Sequence, residues 1–550
     1  MSRTGGKLLV DQLVVHGVDT AYCVPGESYL AVLDALHDAP IRLITCRHEA
    51  GATNMADAYG KLTGRPGIAL VTRGPGATQG SVGVHTAFQD STPLILLIGQ
   101  VASDQEEREA FQEIDFRRMF GQMAKWVAQI DRVDRIPELM ARAFATATSG
   151  RPGPVVLALP EDMLARHEAD VPDARPYVPV QPSPSPDDVE RLRDLLAAAE
   201  RPLAILGGAA WTVRASEDMR TFLEANELPA GAAFRRQDSL DNDSPSYVGD
   251  VGIGLNPKLA ARVREADLLL VVGPRLGEMT TSGYTLVEPP TPAQTLVHVH
   301  PGAEELGRVY QAALPVLASP ERFAAAVRDL RVRPRWLEWT REAREDYEAW
   351  QEPNELPGEL DLAVCVRRLR GLLPRDAIVT NGAGNFSAWA HRFWRWHSYG
   401  TQLAPTSGAM GYGLPAAIAA KALHPDRAVV CFAGDGDFVM SVPELATAVQ
   451  YDLPILVLVV DNGMYGTIRM HQERHYPGRV VGTELKNPDF AALAQAFGAY
   501  GETVDRTDDF VAAVERALAS ERPALLSLRV DPEAITPRFS LSAIRGAAAR

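Results

Sequence analysis

Short, continuously apolar runs rich in Val, Ile and Leu recur along the chain at Ile68–Val71, Leu94–Ile98, Val155–Leu159, Leu268–Val272, Ala428–Phe432 and Ile455–Val460. A strand that alternates apolar and polar positions has one wet face, whereas an unbroken run suits a parallel strand covered on both faces. Helix-like stretches separate the runs, beginning with an amphipathic N-terminal segment, MSRTGGKLLVDQLVVHG. Strand and helix in alternation predict an α/β architecture of doubly wound parallel sheets.

Two breaks divide this pattern. Between Asp170 and Pro186 the text DVPDARPYVPVQPSPSP is loaded with proline, which lacks an amide donor and cannot continue a sheet. From Arg333 to Leu360 a charged stretch carries Trp336, Trp339 and Trp350, and reads as a helix crossing the surface between two blocks. At 550 residues the chain is too long for one hydrophobic core. The expectation is three α/β domains: residues 1–170, 187–332 and 360–550.

Charge and cysteine usage narrow the classes. A formal charge of -15, with arginines scattered among acids, offers no basic face for nucleic acid. Cys23, Cys46, Cys365 and Cys431 form no CxxC pair, so neither a disulfide framework nor a cysteine zinc site is expected. The N-terminus lacks a signal-peptide core, and the apolar run Pro454–Val460 is far shorter than the roughly 20 residues of a membrane span. A cytoplasmic location with no membrane or nucleic-acid partner fits these features.

The strongest chemical signal is Cys431-Phe-Ala-Gly-Asp-Gly-Asp-Phe438, followed 26 positions after Gly436 by Asn462 at the end of the next apolar run. Ligands in open parallel sheets sit beyond the carboxyl ends of strands, where glycine lets the backbone approach a diphosphate. The Asp435 carboxylate, the Asn462 amide oxygen and the backbone carbonyl of Met464 would give Mg²⁺ an all-oxygen set with room left for diphosphate oxygens and water. A Gly-Asp-Gly by itself is more often only a tight turn; the Asn462-Gly463 pair changes that balance.

This spacing is similar to the binding motif of thiamine diphosphate-dependent enzymes, and over essentially the whole chain the sequence resembles their acetolactate synthase-like members. The resemblance implies cofactor contacts from Gly434, Asp435, Gly436, Asp437, Asn462, Met464 and Tyr465. It makes Glu49, in Arg47-His-Glu-Ala-Gly-Ala52, the catalytic acid that shares a proton with N1′ of the aminopyrimidine. Taken alone, a Glu between strand and helix is more often a helix-end charge. Thr72-Arg-Gly-Pro-Gly-Ala-Thr78 and Phe88-Gln-Asp-Ser-Thr-Pro93 resemble neighbouring family segments as well.

Within Gly408-Ala-Met-Gly-Tyr-Gly-Leu-Pro-Ala416, the resemblance places Met410 beneath the cofactor, holding its two rings bent, with Gly408 beside it. The same text satisfies GxGxxA, but no clear strand precedes it, so the dinucleotide reading is weak. Gly384, Asn385 and Phe386 occupy a second diphosphate-contacting turn and offer mainly backbone amides. The family often has Gln-His where this chain has Asn385-Phe386. Glu49 and Asp435 fall in different blocks, and the resemblance implies a homodimer or homotetramer with active sites between subunits.

Substrate-side residues depart from the synthases. Gly26-Glu27-Ser28 stands where they have Gly-Gly, Phe111 and Gln112 match their substrate segment, and His471 replaces their acceptor-site tryptophan. Gly26, Glu27, Phe111, Gln112 and His471 are therefore the candidate substrate contacts. Synthases commonly hold FAD in the middle domain; here Leu276-Gly-Glu-Met279 after Gly273-Pro-Arg275, and His300 at a strand end, argue against it. His471 and His475 are four apart, half a zinc site with no third ligand. His48 and His85 read as hydrogen-bonded pocket or core residues, and His85 could touch substrate.

The expected reaction is decarboxylation of a 2-oxo acid with carboligation to a second carbonyl, pyruvate to acetolactate being the lead case. The alternatives are another thiamine-dependent decarboxylase, an aldehyde lyase or a flavin-dependent oxidase of the same fold. From a different class, a non-catalytic binding protein would have no use for Glu49, Met410, Asp435 and Asn462 together.

Overall fold

The computed structural model describes residues 2–548. The chain divides into two compact units, one comprising residues up to 180 with 418–423, the other 181–417 with 424 onward.

The first unit is built on six strands in the order Arg42–Thr45, Thr20–Cys23, Gly67–Val71, Leu94–Gln100, Pro154–Pro160, Trp126–Gln129, parallel throughout. Gly67–Val71, Leu94–Gln100 and Pro154–Pro160 are buried at every position, which is why they read as unbroken apolar runs. A two-residue antiparallel pair, Arg3–Thr4 with Glu168–Ala169, precedes the first helix, Gly5–Val15. On one face, helix Glu49–Thr63 meets helix Gly74–Asp90 at close range. A Cβ built on Gly83 would lie 2.3 Å from the Thr53 hydroxyl, and one on Gly76 would lie 3.3 Å from Glu49 Oε1.

The second unit holds two six-stranded parallel sheets. The central sheet runs Tyr247–Val251, Ala230–Ala233, Pro202–Leu206, Leu268–Val272, Thr295–His300, Leu314–Leu317; numbered by sequence its order is 3-2-1-4-5-6. The C-terminal sheet runs Gln402–Leu403, Ile378–Asn381, Val429–Gly434, Leu456–Asp461, Ala524–Arg529, Tyr500–Val504, an order of 2-1-3-4-6-5. The N-terminal sheet has the same 2-1-3-4-6-5 order, so the first and last α/β blocks repeat one topology without sharing a legible sequence. In each, the order reverses between strands one and three, the kind of switch point at which open α/β sheets bind ligands.

The proline-rich segment is extended, and the helix that follows begins at Pro186, one residue inside the expected linker. The helix expected to cross the surface, Leu337–Trp350, instead packs into the central block and buries Thr340, Ala343 and Tyr347. Its tryptophans explain the difference. Trp336 donates to Glu227 O (2.9 Å), Trp339 donates to Pro202 O (3.0 Å), and Trp350 lies under the Arg392 guanidinium at 4.1 Å. Indole needs a partner for its one donor when buried, and Trp336 and Trp339 find it on neighbouring elements.

Candidate active site

In the C-terminal block, Val429–Gly434 ends the third strand in sequence and Asp435 opens a short helix, Asp435–Val439. The buried Asp435 carboxylate accepts from Gly436 N (2.8 Å), Gly463 N (2.8 Å) and Asn487 Nδ2 (2.8 Å). Burial raises its pKa above the ordinary carboxylate value, and the nearby Asp461 adds to the rise. Asn462 follows directly on the strand Leu456–Asp461 and folds its side-chain oxygen back to accept from Met464 N at 3.2 Å. The Asp435 carboxylate, the Asn462 amide and the Met464 carbonyl thus lie at the ends of two adjacent strands, oxygen donors of the hard kind that Mg²⁺ takes. The group fits: Asp435 and Asp461 share one neutral amide, which leaves negative charge there uncompensated.

Close backbone approach accounts for the glycines. A Cβ on Gly436 would fall 2.5 Å from the Tyr465 ring, and one on Gly434 or on Gly384 would fall 2.7 Å from the Phe386 ring. Phe386 is therefore a packing element of this turn, joined to the C-terminal core. The Asn385 amide donates to Thr467 Oγ1 (2.9 Å) and its side chain donates to Ile535 O (3.0 Å), so Asn385 ties the turn to helix Gly466–His475 and the C-terminal segment. Asp437 is buried, and its Oδ1 accepts from both Ala383 N (3.0 Å) and Gly411 N (2.9 Å). Burial pushes its pKa up to about 7. Through Asp437, the turn at 382–386 and the turn bearing Met410 are held at one switch point. Met410 is half-buried in that turn, and Gly408 is exposed with φ +72° and nothing within 4 Å of an added Cβ.

In the first unit, Glu49 is the first residue of its helix, capped by the His48 ring, which accepts from Ala50 N at 3.1 Å. The residue is 8% exposed, and among the described residues none gives its carboxylate a hydrogen bond or ion pair; its oxygens are not among the solvent-excluded unpartnered atoms, so solvent reaches them. A carboxylate on a largely buried residue that meets only solvent has its acceptor positions open to a ligand. Thr72 lies between Glu49 and the substrate candidates: added Cβ atoms on Gly76 and Gly26 would come within 2.9 and 2.5 Å of its side chain. Next to it, buried Arg73 bridges Glu27 (3.2 Å) and Glu161 (3.2 Å) and donates to Phe111 O (3.1 Å). Phe111 is exposed, and Gln112, at φ +67°, keeps a buried Oε1 with no partner among the described residues.

His471 lies exposed on helix Gly466–His475, its ring stacked on that of His475 with centroids 6.2 Å apart. Burial first, then Arg474 and His475, lowers its pKa. A converging trio of metal-ligand type lies elsewhere, at Asp241, Asp243 and His397, where Arg375 and Arg395 already match the carboxylates. In the central block, Trp211 packs into the crevice at the strand ends: its indole donates to Gly207 O (2.6 Å) and would lie 3.0 Å from a Cβ on Gly273. His298 and His300 are engaged internally with Pro274 O and Gly302.

Sequence reasoning missed Asp461, Asn487, Thr72 and Arg73 as site residues. Asp461 could have been found, since it immediately precedes Asn462 at the same strand end; Asn487 is 52 residues from Asp435 and only the fold joins them.

Comparison with known proteins gives the family. The N-terminal TPP binding domain of thiamine pyrophosphate enzymes matches residues 3–119, the central domain 189–327 and the C-terminal TPP binding domain 382–528; thiamine pyrophosphate is another name for thiamine diphosphate. The chain is 31% identical to acetolactate synthase isozyme 2 large subunit of Escherichia coli, over 96% of this chain and 95% of that protein. It is 34% identical to the acetolactate synthase large subunit of Parasynechococcus marenigrum (96% and 87%) and 29% identical to a probable acetolactate synthase large subunit of Methanocaldococcus jannaschii (97% and 93%). With its three sheets, its glycine-lined switch points and these matches, the chain belongs to the family of acetolactate synthase large subunits among the thiamine pyrophosphate enzymes.

Proposed function

We propose that this chain is a thiamine diphosphate- and Mg²⁺-dependent enzyme that decarboxylates a 2-oxo acid and joins the remaining fragment to a second carbonyl, with pyruvate as the first donor to test. The observation that carries the reading is the Glu49 carboxylate, on a largely buried residue and with no protein partner among the described residues, in a chain whose C-terminal block brings Asp435, Asn462 and Met464 to two adjacent strand ends. When bound, thiamine diphosphate supplies an electron sink next to the substrate carbonyl.

The chain's own groups do the rest. Glu49 holds a proton at N1′ of the aminopyrimidine. Asp435, Asn462 and the Met464 carbonyl would hold Mg²⁺, and Met410 would support the cofactor from its turn. Glycines 434, 436 and 384 admit the Phe386 and Tyr465 rings against the backbone of the turns that would take the diphosphate. Glu27, Phe111, Gln112 and His471 line the substrate side, with Arg73 fixing the direction of Glu27. FAD is possible but not expected in the central block, where Leu276-Gly-Glu-Met279 follows Gly273-Pro-Arg275 and His300 stands at a strand end. The assembly is a homodimer or homotetramer, and the domain boundaries are those of the three sheets. The location is cytoplasmic; no described helix is long and apolar enough to cross a membrane.

The test is to purify the full chain with thiamine diphosphate and Mg²⁺ and to follow CO₂ release and products from pyruvate alone and with added aldehydes and 2-oxo acids. The expected outcome is a colourless protein that releases CO₂ and forms a coupled hydroxy-ketone product. Absence of CO₂ release across the 2-oxo acid panel would refute the reading.

A further inference from the structure

The Asn462–Tyr465 loop is not held by its own strand alone. Tyr465 N donates to Thr483 O (2.8 Å) and Leu485 N donates to Gly463 O (2.8 Å), so Met464 and Glu484 face each other as an antiparallel pair without direct hydrogen bonds between them. In such a pair each residue's own N–H and C=O point away from the partner strand. The Met464 N–H is indeed taken on that far side by Asn462 Oδ1, and its carbonyl is turned to the same side. Two residues beyond Leu485, the Asn487 amide nitrogen donates one hydrogen to Asp435 Oδ2 (2.8 Å) and the other to Asp461 Oδ1 (2.7 Å). Leu485 also closes over the Gly-Asp-Gly turn, 3.2 Å from where a Cβ on Gly436 would be.

We infer that Thr483–Asn487 is a clasp that presets the cation site, with Asn487 and Asp461 as its positioning residues. The clasp aims the Met464 carbonyl and Asn462 to one side, and Asn487 fixes the rotation of the Asp435 carboxylate while drawing a second carboxylate beside it. Asp435 Oδ2 and Asp461 Oδ1 each accept from both Asn487 Nδ2 and Gly463 N, while Asp435 Oδ1, which accepts only from Gly436 N, and Asp461 Oδ2 keep lone pairs for a cation. Two negative charges on one neutral amide repel each other until a divalent cation offsets them. Groups that orient metal ligands in this way typically change metal affinity when removed. This inference rests on the function proposed above.

The test uses the full-length chain freed of metal, titrated calorimetrically with Mg²⁺ in the presence and absence of thiamine diphosphate. Asn487→Ala is expected to weaken Mg²⁺ binding about 10- to 100-fold, with the unfolding midpoint of the metal-free protein unchanged, and Asn487→Ser, which retains a single donor, to recover part of the loss. Wild-type Mg²⁺ affinity in Asn487→Ala would overturn the clasp while leaving the proposed function standing. If the alanine variant does not fold, the isosteric Asp461→Asn decides instead: weaker binding supports the clasp and wild-type binding overturns it. No Mg²⁺ binding by the wild-type chain, even with thiamine diphosphate, would remove both.

Discussion

At the scale of single residues, burial sets the chemistry more than sequence neighbourhood does. His391 is buried where its Nε2 meets Asn381 Oδ1 at 3.1 Å, and burial together with the Arg235 charge lowers its pKa to about 3. The unfolded chain takes up that proton near 6.5, the folded chain only near 3, so the unfolded form binds more protons in between. Stability attributable to His391 is therefore intact above pH 6.5 and falls as the pH drops from 6.5 towards 3. His391→Gln is expected to flatten that part of the acid limb in urea midpoints measured against pH; an unchanged slope would contradict the assignment. Glu49 and Asp435 stand out as candidates in the sequence because each sits in a recognisable string. Asn487 and Arg73 were not, since their partners lie 52 and 46 residues away and no periodicity encodes a side-chain hydrogen bond across folds of the chain.

At the scale of elements, the fully buried strands announced themselves and the others did not. Leu94–Gln100 is apolar nearly throughout, whereas Ala230–Ala233, a short run of alanine and glycine, is equally buried but carries no strand-like signature. Edge strands such as Gln402–Leu403 are too short to show a period at all. The helix Leu337–Trp350 was found but its charge misled: half its surface is wet, while the other half packs through tryptophan and tyrosine. The pair Glu49–Thr63 and Gly74–Asp90 depends on glycine contacts that no hydrophobic pattern records. A Cβ on Gly83 would lie 2.7 Å from the Thr53 backbone carbon, so the helices must move apart to admit it. Gly83→Ala is expected to destabilise the protein by about 1–3 kcal/mol in chemical unfolding and to lower turnover by shifting Glu49. Wild-type stability would show the contact to be soft.

At the scale of the whole molecule, one topology appears twice, in the blocks that carry Glu49 and Asp435, with a differently ordered sheet between them in the sequence. The sequence runs predicted three α/β blocks, but the shared 2-1-3-4-6-5 order emerges only from strand pairing. Sedimentation of the purified protein is expected to show a dimer or tetramer, and a monomer that remains fully active would contradict the assembly. The account turns on Glu49 acting upon thiamine diphosphate that Asp435 and Asn462 help to anchor. The most direct measurement is proton–deuteron exchange at C2 of the bound cofactor's thiazolium, followed by quenched NMR for the wild-type chain and Glu49→Gln. Glu49→Gln should retain the cofactor and exchange about 10²- to 10⁴-fold more slowly than wild type; equal exchange rates with the cofactor bound in both would contradict it.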